Sequence, residues 1–291
     1  MSASTTPGVV RRWVLAARIR TLPAAAVPVV IGASLTRPRP YNVLNTLLCL
    51  VVALALQIGT NYANDYSDGV RGTDEVRVGP FRLTASKLVA STSVRRAAVI
   101  FFAVAAVAGL VLSARTTWLF VPLGMSAVAA GWFYTGGPRP YGYLGFGEVF
   151  VMIYFGFVAT VATAFAQHGH IPPGAWWWGL STGSMACALL EANNLRDVAG
   201  DQAAGKKTLA ARLGRRRGSW LYAFFVAGTL VGATFGGEGL VAAIALALYI
   251  PGLQLAFSPR TGRDLLPLLK QSSLTQWTVG AATALVMFVT R

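Results

Sequence analysis

The chain has 291 residues, of which 55% are hydrophobic and only 12% charged, and a formal net charge of +15. Soluble domains carry roughly 25% charged residues, so a soluble globule is excluded and the expected solvent is a lipid bilayer. Cys49 and Cys187 both lie in apolar runs, which argues against a disulfide framework or a zinc site. The basic residues are spread over short connections rather than along one soluble face, so a nucleic-acid partner is not expected.

Residues 1–12 read as a polar, basic tail. They lack an apolar core followed by a small-residue cleavage site, so no cleaved leader is expected. Nine apolar segments of near-spanning length follow, at about 13–36, 43–63, 97–113, 117–135, 146–166, 174–194, 219–236, 239–257 and 273–290. Arg18, Arg20, Pro23 and Pro28 interrupt the first. Only "GGEG" separates the seventh from the eighth, so one long segment is the alternative there. With the N-terminus cytoplasmic, 21 of the 25 Lys and Arg fall on inner connections and four, Arg37, Arg39, Arg115 and Arg291, on outer ones. That asymmetry obeys the positive-inside rule. The expected fold is all-α: one domain over 1–291, a multi-span bundle of nine transmembrane helices, N-terminus in and C-terminus out. Basic loops facing anionic lipid account for much of the positive charge.

The ten acidic residues are not scattered. "NYANDYSDGVRGTDE" at 61–75 holds Asp65, Asp68, Asp74 and Glu75 at the inner end of the second segment. "EANNLRDVAGD" at 191–201 holds Glu191, Asp197 and Asp201 at the inner end of the sixth. Asn61 and Asp65 are four apart, as are Asn193 and Asp197, and the two pairs are offset by 132 residues. Such steps keep side chains on one helical face. The match reads as a weak four-helix internal repeat with an unpaired ninth helix.

Carboxylates at a membrane edge are costly unless something positive compensates them. Each could simply pair with a nearby Arg or face water, but two matched clusters favour a divalent cation site. Mg2+ prefers oxygen ligands and is commonly shared with substrate phosphates, so two facing stripes could hold a diphosphate through metal. Asn61, Asn193 and Asn194 offer neutral oxygens. Arg71, Arg77, Arg82, Lys87, Arg139, Lys206 and Lys207 suit an anionic diphosphate, although lipid contact explains any single one of them.

These stretches, with "YTGGPRPYGYLGFGE", "NNLRDVAGDQAAGKKTLAARLG" and the opening "RIRTLPAAAVPVVIG", resemble the UbiA-type intramembrane prenyltransferases over about Arg18 to Gly214. The resemblance implies a nine-helix fold in which Mg2+ and an allylic polyprenyl diphosphate are held by two Asp-rich motifs. It places metal ligands at Asp65, Asp68, Asp74, Asn193, Asp197 and Asp201. Asp65, Asp68, Asp197, Asp201 and Tyr134 become the catalytic set. Substrate contacts fall to Arg20, Asn61, Asn64, Arg71, Arg82, Arg139, Asn193, Asn194 and Lys206. Glu191 departs from the pattern, which usually has a small apolar residue there.

The implied reaction passes a polyprenyl group to an aromatic acceptor at the cytoplasmic face of the cell membrane. The motifs are most similar to those of members that use 1,4-dihydroxy-2-naphthoate in menaquinone biosynthesis. 4-Hydroxybenzoate is the alternative acceptor. A secondary transporter is the reading from another class, since transporters also carry repeats and intramembrane carboxylates. Trp132, Phe133, Tyr134, Tyr141, Tyr143 and Phe146 supply ring faces for an allylic cation, or serve as interface anchors. "GDQAAGKKT" imitates a phosphate-binding loop but has Lys207 where Ser or Thr is required.

Overall fold

The computed structural model describes residues 8–35, 41–73 and 82–290, and among these there is helix and loop but no strand. The first apolar segment is broken. Helix α1 (Val9–Ala16) stops where Arg18 takes a left-handed conformation at φ 55°, a short 3-10 turn (Ile19–Thr21) follows, and Pro23 opens α2 (Pro23–Ser34). Proline suits this first helical position because its missing N–H has no partner to lose there. The two limbs meet at a 52° bend.

Helix α3 (Val43–Arg71) is capped by the Asn42 side chain, which accepts the Asn45 N–H at 3.0 Å. It ends at Gly72, whose φ of 72° lets the Thr73 N–H turn back to the Asp68 carbonyl at 3.1 Å. Then come α4 (Ser91–Arg115) and α5 (Phe120–Phe133). The fifth segment is a composite of α6 (Gly147–Val151), a π-helical stretch (Met152–Val158) and α7 (Ala159–His168). The remaining elements are α8 (Ala175–Ala203), α9 (Leu209–Phe235), α10 (Gly239–Phe257) and α11 (Leu266–Thr290). A turn at Gly236–Glu238 separates α9 from α10, with Gly237 at φ 98°, so the "GGEG" stretch divides two helices.

Each of the nine predicted segments is therefore helical, but fewer pass as spans on their own. Among the described residues, five helices are long and apolar enough to cross a membrane: α3, α4, Gly147–Gln167, α9 and α10. The bent α1–α2 pair makes a sixth. Helix α5 has 14 residues, about 21 Å at 1.5 Å per residue, shorter than the ~30 Å hydrocarbon core. Helices α8 and α11 keep polar residues inside. Ser181, Thr182, Ser184 and Glu191 on the one, and Ser272 and Gln276 on the other, are almost wholly buried.

The main core gathers around α8: Trp178, Met185 and Leu195 pack with Ile31, Tyr222, Tyr249, Leu268 and Met287. A second cluster joins α1, α3 and α4 through Tyr62, Leu83, Val94, Ala98 and Phe102. Without water to drive association, membrane helices gain from close backbone approach at small residues. The π-helical stretch meets α8 in this way. A Cβ added to Gly156 would lie 2.6 Å from the Gly179 carbonyl oxygen and 2.7 Å from the Gly183 Cα. Gly156→Ala is expected to cost about 1–3 kcal/mol, read as a lower thermal midpoint in detergent. Gly124→Ala, whose Cβ meets nothing within 4 Å, should leave that midpoint unchanged.

Candidate active site

Gln57, Asn61, Asn64 and Asp68 follow one another along α3 at steps of four, three and four, so they form one stripe. Its outer end is tied to the α1–α2 break. The Asn61 amide donates to the Ala17 carbonyl at 2.9 Å and to Thr21 Oγ1 at 3.1 Å, and Gln57 donates to the same Thr21 oxygen at 2.9 Å. One turn on, Asn64 Oδ1 accepts the Thr135 hydroxyl at 2.8 Å.

Asp68 closes the stripe, buried at 2% exposure. Its Oδ1 accepts the Tyr143 hydroxyl at 2.5 Å, while Oδ2 lies 3.6 Å from Arg82 Nη2 and 3.4 Å from Lys206 Nζ. Arg82 follows α3 in the first half of the chain, and Lys206 follows α8 in the second. The acid is thus clamped between one cation from each half. Tyr143 completes the clamp, with Lys206 Nζ 4.6 Å and the Arg71 guanidinium 5.7 Å from its ring centroid. Burial, and then the negative Asp68 beside it, push the Tyr143 phenol well above its ordinary range, so it stays protonated and donates. The loop that carries Tyr143 is itself fixed to the second half: its carbonyl accepts the Lys207 N–H at 2.8 Å, and Arg212 donates to the Leu144 carbonyl at 2.9 Å.

The C-terminal ends of α3 and α8 face each other across a cavity of about 240 Å3 lined by Arg71, Gly72 and Thr73 from one side and Gly200, Asp201, Ala203 and Ala204 from the other. Asp201 accepts the Thr208 hydroxyl at 3.4 Å, and its carbonyl receives the Lys206 N–H at 2.8 Å. Deeper in lies a much larger chamber of about 1040 Å3 between α3, α4, α5 and the π-helical stretch. Asn61, Asn64 and Asn193 line its polar end, and Tyr134, Tyr141 and Tyr154 its wall. Leu110 and Met125, both lining residues, are exposed, so apolar side chains border the chamber where it meets solvent-accessible surface.

Several expected site residues sit elsewhere. Arg20 is exposed and lines neither cavity; the left-handed turn at Arg18 directs Arg18 onto the chamber instead. Arg139 is exposed and lines neither cavity. Asn194 turns away from the chamber and donates to Glu148 Oε1 at 2.9 Å. Arg71 donates to the Thr135 and Gly137 carbonyls, so it holds a loop while lining the smaller cavity. Asp197 is bound by its own neighbour: Arg196 Nε and Nη2 each donate to one of its oxygens at 2.7 Å, with both side chains 1% exposed. Glu191 is fully buried, with Oε1 beside Gly218, and lines neither cavity. Asp74 lies outside the described residues. Tyr143 was expected only as a ring face and not as a partner of Asp68; Arg18 and Gln57 were not among the expected site residues, although Gln57 lies four residues before Asn61 on the same stripe.

The candidate ligand atoms lining these two spaces are oxygens, the Asp201 carboxylate and the Asn61, Asn64 and Asn193 amides; Asp68 lines neither, its carboxylate being held by Tyr143, Arg82 and Lys206. Among the described residues, no three His, Cys, Asp or Glu side chains come together to hold a metal by themselves. This set fits a hard cation shared with phosphate oxygens, which is how Mg2+ is usually held.

Residues 25–265 match the UbiA prenyltransferase family, and the chain belongs to that family of integral membrane proteins. It is 44% identical over 288 residues to the 1,4-dihydroxy-2-naphthoate octaprenyltransferase of Mycobacterium tuberculosis, covering 94% of this chain and 96% of that one. The Mycobacterium leprae protein of the same name is 41% identical over 291 residues, covering 95% and 96%. The fold is that of a UbiA homolog from Archaeoglobus fulgidus bound to GPP and Mg2+, with a TM-score of 0.66 at 14% identity over 94% of this chain and 99% of that one.

Proposed function

We infer that the chain transfers a polyprenyl group from an allylic polyprenyl diphosphate to 1,4-dihydroxy-2-naphthoate, with release of diphosphate and carbon dioxide, giving demethylmenaquinol, the quinol form of demethylmenaquinone. The observation that carries this reading is the convergence of two acid-bearing helix ends at the head of a large apolar chamber. The names of the 44% and 41% identical relatives support the choice of acceptor. The carbon–oxygen bond to diphosphate breaks, and a carbon–carbon bond forms at the ring carbon that loses its carboxyl group.

Mg2+, held by Asp68 and Asp201 with Asn64 and Asn193 near, would supply neutralisation of the departing diphosphate. The protein's own contribution is electrostatic and geometric. Arg82 and Lys206 present fixed positive charge where the leaving group gains negative charge. Tyr143, kept protonated, holds Asp68 in one orientation. The apolar chamber wall excludes water that would capture an allylic cation.

The same reading includes nine spans with the N-terminus cytoplasmic, in the plasma membrane, supported by the 21 to 4 split of basic residues. Helices α3 and α8 support the internal repeat: each has 29 residues, and both ends are offset by 132, from Val43–Arg71 to Ala175–Ala203. Purified protein in detergent, given dihydroxynaphthoate, a polyprenyl diphosphate and Mg2+, should yield the prenylated quinol and diphosphate, identified by mass spectrometry. Prenylation of 4-hydroxybenzoate alone would replace the acceptor. Substrate flux across proteoliposomes with no covalent product would overturn the reaction.

A further inference from the structure

The first acidic motif looks uniform in sequence, with Asp65 and Asp68 one turn apart on the same face of α3, but the two carboxylates are used differently. Asp68 meets two side-chain cations and a phenol. Asp65 meets main chain: its Oδ2 accepts the Leu83 N–H at 2.8 Å and its Oδ1 the Thr84 N–H at 2.9 Å. It is 1% exposed, and like Asp68 it lines neither the chamber nor the smaller cavity; the difference is that both of its oxygens are taken by main-chain N–H groups. Two fixed N–H donors aimed at two oxygens make a strong charge-assisted pair.

The segment that Asp65 grips is fastened at two further points. Leu83 is fully buried in the cluster with Tyr62, Val94 and Phe102. Thr84 lies so close to Gly69 that a Cβ there would sit 2.4 Å from the Thr84 Cβ. Arg82, next in line and 8% exposed, is thereby delivered to Asp68.

We propose that Asp65 is a positioning residue, latching the segment after Arg82 onto α3 through the Leu83 and Thr84 main chain, and is not a ligand of the bound cation. An aspartate is required because asparagine offers one oxygen and would set its own N–H groups against the second backbone donor. The kinetic part of this proposal rests on the prenyl-transfer reading; the structural part does not.

The test separates the two parts. Hydrogen–deuterium exchange on the full-length protein in detergent without metal should show the 83–84 amides exchanging about tenfold faster in Asp65→Asn, the scale of losing a hydrogen bond to a charged group. Binding of Mn2+ in the presence of inorganic diphosphate, read by electron paramagnetic resonance, should be unchanged in Asp65→Asn and lost in Asp68→Asn. In turnover, Asp65→Asn should raise KM for the prenyl donor as well as lower kcat, through the displaced Arg82, and leave the acceptor KM alone; a raised donor KM is not produced by general loss of folded protein. Gly69→Ala displaces the same segment with every acid intact. If Asp65→Asn does not fold, faster exchange with unchanged Mn2+ binding in Gly69→Ala sustains the proposal. Unaltered exchange at 83–84 in the variant that folds, or Mn2+ binding lost in Asp65→Asn, overturns it. Absence of any prenyl transfer by the parent protein would sink the function and leave the exchange result standing.

Discussion

Asp68→Asn is expected to reduce turnover by about 10²–10³-fold, the scale of losing a group that organises transition-state charge, while the protein stays folded. The substitution keeps volume and can still accept from Tyr143, but it removes the charge shared by Arg82 and Lys206 at 3.6 and 3.4 Å. Those cations then face the site uncompensated. Metal-free inorganic diphosphate should therefore bind more tightly, although Mg2+ activation is lost. Opposite signs on the two measurements are the signature; weakening of both would mean that Asp68 serves mainly to build the pocket.

Lys206→Met is the second large effect, with the reverse sign on anion binding. It removes a cation that is 6% exposed from an acid that is 2% exposed, and the long apolar stem is replaced by one of similar shape. Truncating one partner of a buried charge pair at a binding site costs about 2–5 kcal/mol, so KM for the prenyl donor should rise at least about thirtyfold. The damage also crosses between halves, since Lys206 comes from the α8–α9 connection and Asp68 from α3. A donor KM that does not move, measured at saturating acceptor, would remove Lys206 from the anion site.

Much of this architecture is legible in the sequence because it depends on local periodicity. Apolar run lengths mark the nine helical segments, and the Asn-to-Asp spacing marks the two acid-bearing ends that the structure brings together. What escaped depends on contacts distant in sequence. The face of α3 is set by its period, yet Asp65 and Asp68 diverge because Leu83, eighteen residues on, inserts into the α1–α3–α4 cluster and presents its N–H to one of them. Arg18 replaces Arg20 at the chamber because one residue takes φ 55° between two helical pieces, a break that the apolar pattern hides. Asn194 carries an amide next to that of Asn193, but 100° of helical rotation turns it to Glu148 and leaves Asn193 on the chamber wall. Tyr143 belongs to a loop whose course is dictated by Lys207 and Arg212.

The backbone contact between Gly156 and Gly183 also limits how this protein can evolve. At Gly156 one wall of the chamber rests backbone to backbone on the helix that bears Asp197 and Asp201, with Met152 and Phe157 packed on Gly183 and Gly179 to either side. Widening that wall would displace the chemistry. Part of the wall on α4 and α5 has slack: an added Cβ at Gly124 meets nothing and one at Gly109 only touches Val52 at 3.9 Å, whereas one at Gly131 would lie 2.5 Å from Thr60 Oγ1. Substitutions that reshape the room for an isoprenoid tail are therefore best tolerated around Gly109 and Gly124, where added bulk leaves the acid-bearing helix ends in place.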